Sequence, residues 1–167
     1  MTSHELLAAM SSSLAVQILE DTFAEDKPLY KATLQAVAQA RKCRPVFLER
    51  QPRTERHAAM AIALSRPAQK LVADNLLRGW LLKKQNALLV DFLDALKLKH
   101  EKGIVENVPP TMEDALLRPA VETLLAKHPH ETVAVYLHAF SGMEGVQWPN
   151  LDELLLTDAR LKLRPQG

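Results

Sequence analysis

Six cations stand between residues 41 and 56: Arg41, Lys42, Arg44, Arg50, Arg53 and Arg56, opposed there only by Glu49 and Glu55. Five of the six are arginine, whose planar guanidinium bonds phosphate or carboxylate through two parallel N–H donors. The chemistry such a run implies is anion recognition. It could serve a polyanion, where each neutralised phosphate releases counterion, or a small anionic molecule. Six phosphate contacts would make binding fall about a thousandfold between 50 and 200 mM salt. The same arginines have an internal use, because Glu20, Asp21, Glu25 and Asp26 lie in a flanking acidic segment. Residues 1–40 carry two basic and five acidic groups, residues 41–102 fourteen and six, residues 103–167 five and nine. A net +8 set between −3 and −4 suits pairing within the chain or with a second subunit.

Other reactive types are present without their usual company. Cys43 sits among Arg41, Lys42 and Arg44, which favour thiolate, but at an expected helix end whose dipole opposes it. No base stands beside it in sequence, so an inert packed thiol is expected. The six histidines show no His-Glu-x-x-His or Glu-x-x-His pattern, and His130 and His138 are two helical turns apart, too far to share one ion. No metal site is expected. Five glycines leave no dinucleotide fingerprint, phosphate loop or nucleophile elbow, and so no cofactor and no catalytic residue is nominated. Asp91 and Asp94 are expected at the polar edge of a helix stripe. Trp80 belongs to an inner stripe. Trp148 reads as a lid over the core or, alternatively, as an anchor for a partner, since tryptophan is enriched at interface hot spots.

The elements that must position these residues read as helices. Leu and Ala supply 51 of 167 residues, against 22 Val, Ile and Thr, and helices favour the first pair. Leu7, Met10, Leu14 and Ile18 repeat at helical spacing over residues 4–24, with Ser11-Ser12-Ser13 read as a close-packing stretch. Lys27-Pro28 restarts the chain for a stripe of Tyr30, Leu34, Val37 and Ala38. Val46-Phe47-Leu48 is read as a core-seeking connector, too short for a helix. A helix is expected over 53–64, with Ser65-Arg66-Pro67 as cap and restart. Residues 66–98 are helical, as one piece or broken near Gln85-Asn86. After a loop over 99–110, Thr111 is read as a cap and Pro119 as the start of a longer helix, because an interior proline costs about 3 kcal/mol. Pro129 opens the next helix, closed by Ser141-Gly142, and Asn150 with Glu153 caps a last short one.

These readings give an all-α fold of six to eight helices in antiparallel helix–proline–helix hairpins, as a bundle or a short solenoid-like array. One domain over 1–157 and a tail over 158–167 are expected. The longest early uncharged stretch, Leu6–Leu19, is shorter than the ~20 residues that span a bilayer. With an acidic, Lys- and Arg-free start and one cysteine, the expected setting is the cytoplasm, away from membranes. Composition excludes disorder and disulfide scaffolds. The expected function is a non-catalytic helical interaction protein that self-associates or binds another protein. A polyanion- or nucleic-acid-binding protein using residues 41–56 is the alternative. An enzyme acting on an anionic small molecule there is the third.

Overall fold

Small polar residues and prolines set where the helices begin. The computed structural model describes residues 1–164. Helix α1 (Ser3–Ala9) ends before α2 (Ser12–Glu25) because Ser11 is extended and its hydroxyl accepts the Leu14 N–H at 3.2 Å. The stretch read as one helix over 4–24 is therefore two, and Ser11 is a cap. Asp26 caps α3 (Lys27–Ala40), accepting the Leu29 N–H at 3.3 Å, with Pro28 in the first turn as expected. Val46-Phe47-Leu48 lies in a one-turn helix, α4 (Pro45–Glu49), rather than in a connector. Only Leu48 of that trio is buried, while Val46 and Phe47 are exposed.

Helix α5 (Arg53–Leu64) follows, and Ser65 closes it rather than capping the next element. Its hydroxyl donates back to the Ile62 carbonyl at 2.7 Å. A 3-10 turn at Pro67–Gln69 then leads into α6 (Lys70–Lys83). The chain breaks at residues 84–85 before α7 (Asn86–Ala95).

Helix α8 (Asp114–Lys127) contains Pro119 in its second turn, so the proline does not open a new helix. The bond it removes would have reached Ala115, and both residues are exposed, so water can satisfy the freed carbonyl. Thr111 does not cap α8, whose flanking residue is Glu113. Helices α9 (His130–Ser141) and α10 (Pro149–Thr157) complete the set, with a 3-10 turn at Ala159–Leu161. Asn150 lies inside α10 and not before it. Its amide N–H groups instead donate to the Met112 carbonyl at 2.7 Å and to Asp114 at 2.9 Å, tying α10 to the start of α8.

Two helices close through a left-handed residue that is not glycine. After α3, the Cys43 N–H reaches the Ala38 carbonyl (3.0 Å) and the Lys42 N–H that of Gln39 (3.1 Å). After α7, Leu98 and Lys97 bond Leu93 and Asp94 in the same way, both at 3.0 Å. This closure needs a left-handed residue, usually glycine, yet Lys42 (φ 54°) and Lys97 (φ 58°) occupy it. Because a side chain there is strained, Lys97→Gly is expected to raise stability by about 0.5–1 kcal/mol. A urea midpoint that falls instead would show that the lysine side chain outweighs the strain.

The class is all-α, and the described residues hold ten α-helices, more than the six to eight expected. The surplus comes from the α1–α2 break, the single turn of α4 and the α6–α7 break. The chain divides into two compact units, one of Thr2–Trp80 with Arg164 and one of Leu81–Leu163 with Met1. The division falls within α6. In the first unit α2 packs on α3 and α5, burying Ile18, Leu19, Leu34, Val37, Met60 and Leu64. The last turns of α6 approach α3 so closely that a side chain on Gly79 would meet the Leu29 methyl.

In the second unit α8 packs on α7 and α9, and α9 on α10. Its centre is Phe92, whose ring meets Tyr136 at 5.6 Å and Phe140 at 5.3 Å, both edge-on. Of the tail expected over 158–167, Leu161 is fully buried and its carbonyl accepts from His138 Nε2 at 3.1 Å. Residues 165–167 lie outside the described residues.

Candidate partner-binding site

The six cations at 41–56 divide into two groups by the faces on which α3, α4 and α5 place them. Arg53 and Arg56 lie on α5 toward α2 and α3. Arg53 Nε pairs with Glu20 at 3.2 Å, and its guanidinium lies 5.0 Å from the centre of the Phe23 ring. Arg56 is buried, stacked over Phe23 and Tyr30 at 5.7 and 5.8 Å, and donates to the Glu49 carbonyl at 3.1 Å. Its buried Nε has no hydrogen-bond partner among the described residues. One arginine thus finds an acid of the flanking segment and the other finds aromatic faces and a backbone carbonyl.

Between them lies a chain of hydrogen bonds. His57 is fully buried, with Nδ1 2.9 Å from Glu20 Oε1 and Nε2 2.8 Å from the Tyr30 hydroxyl. An ionised carboxylate only accepts, so Nδ1 carries the proton and the Tyr30 O–H donates to Nε2. Burial pushes the His57 pKa below the ordinary 6.5, with Arg56 and Arg53 adding to that and Glu20 opposing it. Burial likewise raises the Tyr30 phenol above its usual range, against the pull of Arg56. A tyrosine–histidine–carboxylate chain can pass a proton, but the His57 ring has no exposed surface to offer a substrate. Its work in the fold is to satisfy three polar groups between α2, α3 and α5.

The second group is exposed: Arg41, Lys42, Arg44 and Arg50, none with an ion pair among the described residues. Arg41 also lines a groove of about 320 Å³ between the end of α3, α5 and the Pro67–Gln69 turn. Arg66 lines it too, with Ala59, Ala63, Ala68 and Ile62 supplying an apolar lining. Ile62 is 65% exposed. Arg66 escapes a sequence reading because it stands alone, ten residues beyond the basic run. Cys43 is half-buried and unpaired as a disulfide.

The remaining candidates are placed elsewhere. Trp148 is 1% exposed, its ring 5.3 Å from Phe140 and its indole N–H donating to the Pro109 carbonyl at 2.8 Å. It is seated in the core of the second unit and presents no face to a partner. Asp91 bonds His128 Nε2 at 2.9 Å, and Asp94 bonds His100 Nε2 at 2.7 Å. Trp80 donates to Asp21 at 3.0 Å. Among the described residues no group of three His, Cys, Asp or Glu side chains could hold a metal ion, and no helix is long and apolar enough to cross a membrane. No protein-family model matches the chain, and no curated protein or solved structure matches it.

Proposed function

We propose that the protein is a non-catalytic helical interaction protein whose groove between α3 and α5 receives an acidic, apolar segment of a protein partner. The observation that carries this reading is the groove's composition: two exposed arginines beside an alanine lining and a solvent-facing Ile62. Apolar lining draws in an apolar side chain, and guanidinium groups at its margin select acids beside it. A cytoplasmic setting fits the single free thiol, Cys43.

The test is selection of a phage-displayed random peptide library on the immobilised protein. Peptides joining Asp or Glu to Leu, Ile or Phe are expected to be enriched. They should be lost on an Arg41→Glu, Arg66→Glu double variant, whose exposed sites leave folding within about 0.5 kcal/mol of the parent. Equal retention on that variant, or no enrichment at all, overturns the reading.

A second reading is a polyanion-binding protein, favoured by the four exposed and unpaired cations Arg41, Lys42, Arg44 and Arg50. With Arg53 and Arg56 engaged internally, four contacts replace the six counted from sequence. Binding of labelled mixed-sequence DNA or RNA should then weaken about a hundredfold between 50 and 200 mM salt. A shallow salt dependence, or no binding at the lower salt, removes this reading.

A further inference from the structure

The two halves of the chain differ in charge as well as in sequence position. Residues 2–80 carry eleven Lys and Arg against eight Asp and Glu, a net +3. Residues 81–163 carry nine against twelve, a net −3. The acidic half also displays a segment of the chemistry the groove selects. Helix α10 buries Leu151, Leu154 and Leu155 and turns Asp152, Glu153 and Leu156 outward. Leu156 is 74% exposed, the most exposed of the large apolar side chains described. It stands four residues after Asp152 and three after Glu153, so the three share one helical face. Asp152 accepts the Ser141 hydroxyl at 2.5 Å.

We infer that the occupant of the groove is α10 of a second copy of this chain. Leu156 enters beside Ile62 and the alanines, and Asp152 and Glu153 face Arg41 and Arg66. This deepens the interaction reading above and rests on it. The contact joins two different surfaces, a groove on one copy and a helix on the next. Such an interface is head-to-tail and leaves a free groove at one end and a free α10 at the other, so copies add in rows or close into rings. Opposite net charges on the two contributing halves steer the encounter and make it sensitive to salt.

The geometry allows a complementation test by sedimentation equilibrium up to about 100 µM protein. Wild type is expected above 18.7 kDa, returning toward that mass as salt rises. Arg41→Glu with Arg66→Glu removes the groove, and Leu156→Glu removes the helix face. Each variant alone should sediment as a monomer. Mixed in equal amounts they should form a 1:1 complex and stop there, because one intact groove meets one intact α10. Thermal unfolding checks that each variant is folded, and Glu153→Arg replaces Leu156→Glu should the latter fail.

A wild-type protein that stays at 18.7 kDa, or folded variants that do not complement, overturns the inference. If peptide selection on the groove succeeds while wild type is monomeric, the interaction reading stands and only the second copy is excluded. If neither succeeds, both fall.

Discussion

Trp148→Ala is expected to lower stability by about 3–5 kcal/mol, the range for truncating a large aromatic side chain in a packed core. The ring is almost wholly buried against Phe140, so its removal opens a cavity beside the Phe92–Tyr136–Phe140 cluster. It also strips the Pro109 carbonyl of its 2.8 Å donor, releasing a hydrogen bond that holds residues before α8. Trp148→Phe separates the two effects: it keeps most of the apolar contact, loses the N–H donor, and should cost about 1–2 kcal/mol. Far-UV circular dichroism in urea reads both variants. A change under about 0.5 kcal/mol for the alanine variant would mean that the side chain is exposed, as an interface anchor would be.

The second large effect belongs to His57. Replacing it with alanine leaves the Tyr30 hydroxyl only the weak Met60 sulfur as acceptor, deprives Glu20 of one of its two donors and empties a fully buried site. Together these should cost about 3–5 kcal/mol, with the smaller change Tyr30→Phe costing about 1–2. A pH dependence follows from the same geometry. The folded state holds His57 neutral, below its ordinary pKa of 6.5, while the unfolded chain takes up a proton near that value. The stabilisation is therefore complete above about pH 6.5 and declines as the pH falls below it.

His138, whose pKa burial also lowers, contributes in the same direction. Urea midpoints measured from pH 7.5 down to 5.5 should fall for wild type. They should fall less for His57→Gln. An equal slope in the two proteins would show that His57 does not titrate differently on folding.

How much of this was legible in the sequence depends on the range of the interaction involved. The helix class, the restart at Lys27-Pro28 and the helix opened by Pro129 rest on periodicity and on residues within one turn, and the structure has them. The break at Ser11 was present in the sequence as a serine trio, but a cap and a close-packing stretch look alike without knowing where the backbone extends. The stops after α3 and α7 carried no glycine, the usual signal, because lysine takes the left-handed position.

Pro119 departs from the average proline penalty because its site is exposed, where water can satisfy the freed carbonyl. The site divides in the same way. That an arginine of 41–56 would find an acid among Glu20, Asp21, Glu25 and Asp26 is readable as charge balance, but not that the acid is Glu20 or that it also takes His57. Glu20, Tyr30 and His57 come from three helices, and no spacing rule joins residues so far apart. Ile62 and Arg66 share the groove with Arg41 because α5 packs on α3, a contact between helices that no local spacing announces.

The lysine that ends α3 places two demands on one position. For folding alone, glycine at residue 42 would relieve the left-handed strain, just as at 97. Position 97 is a free choice, but position 42 belongs to the exposed basic run beside Arg41. A redesign that optimised each helix terminus for thermal tolerance would select glycine at both and would remove one charge of that basic run. The two lysines therefore form a matched pair, the same backbone device inside and outside the basic run, against which the contribution of that run's charge can be weighed.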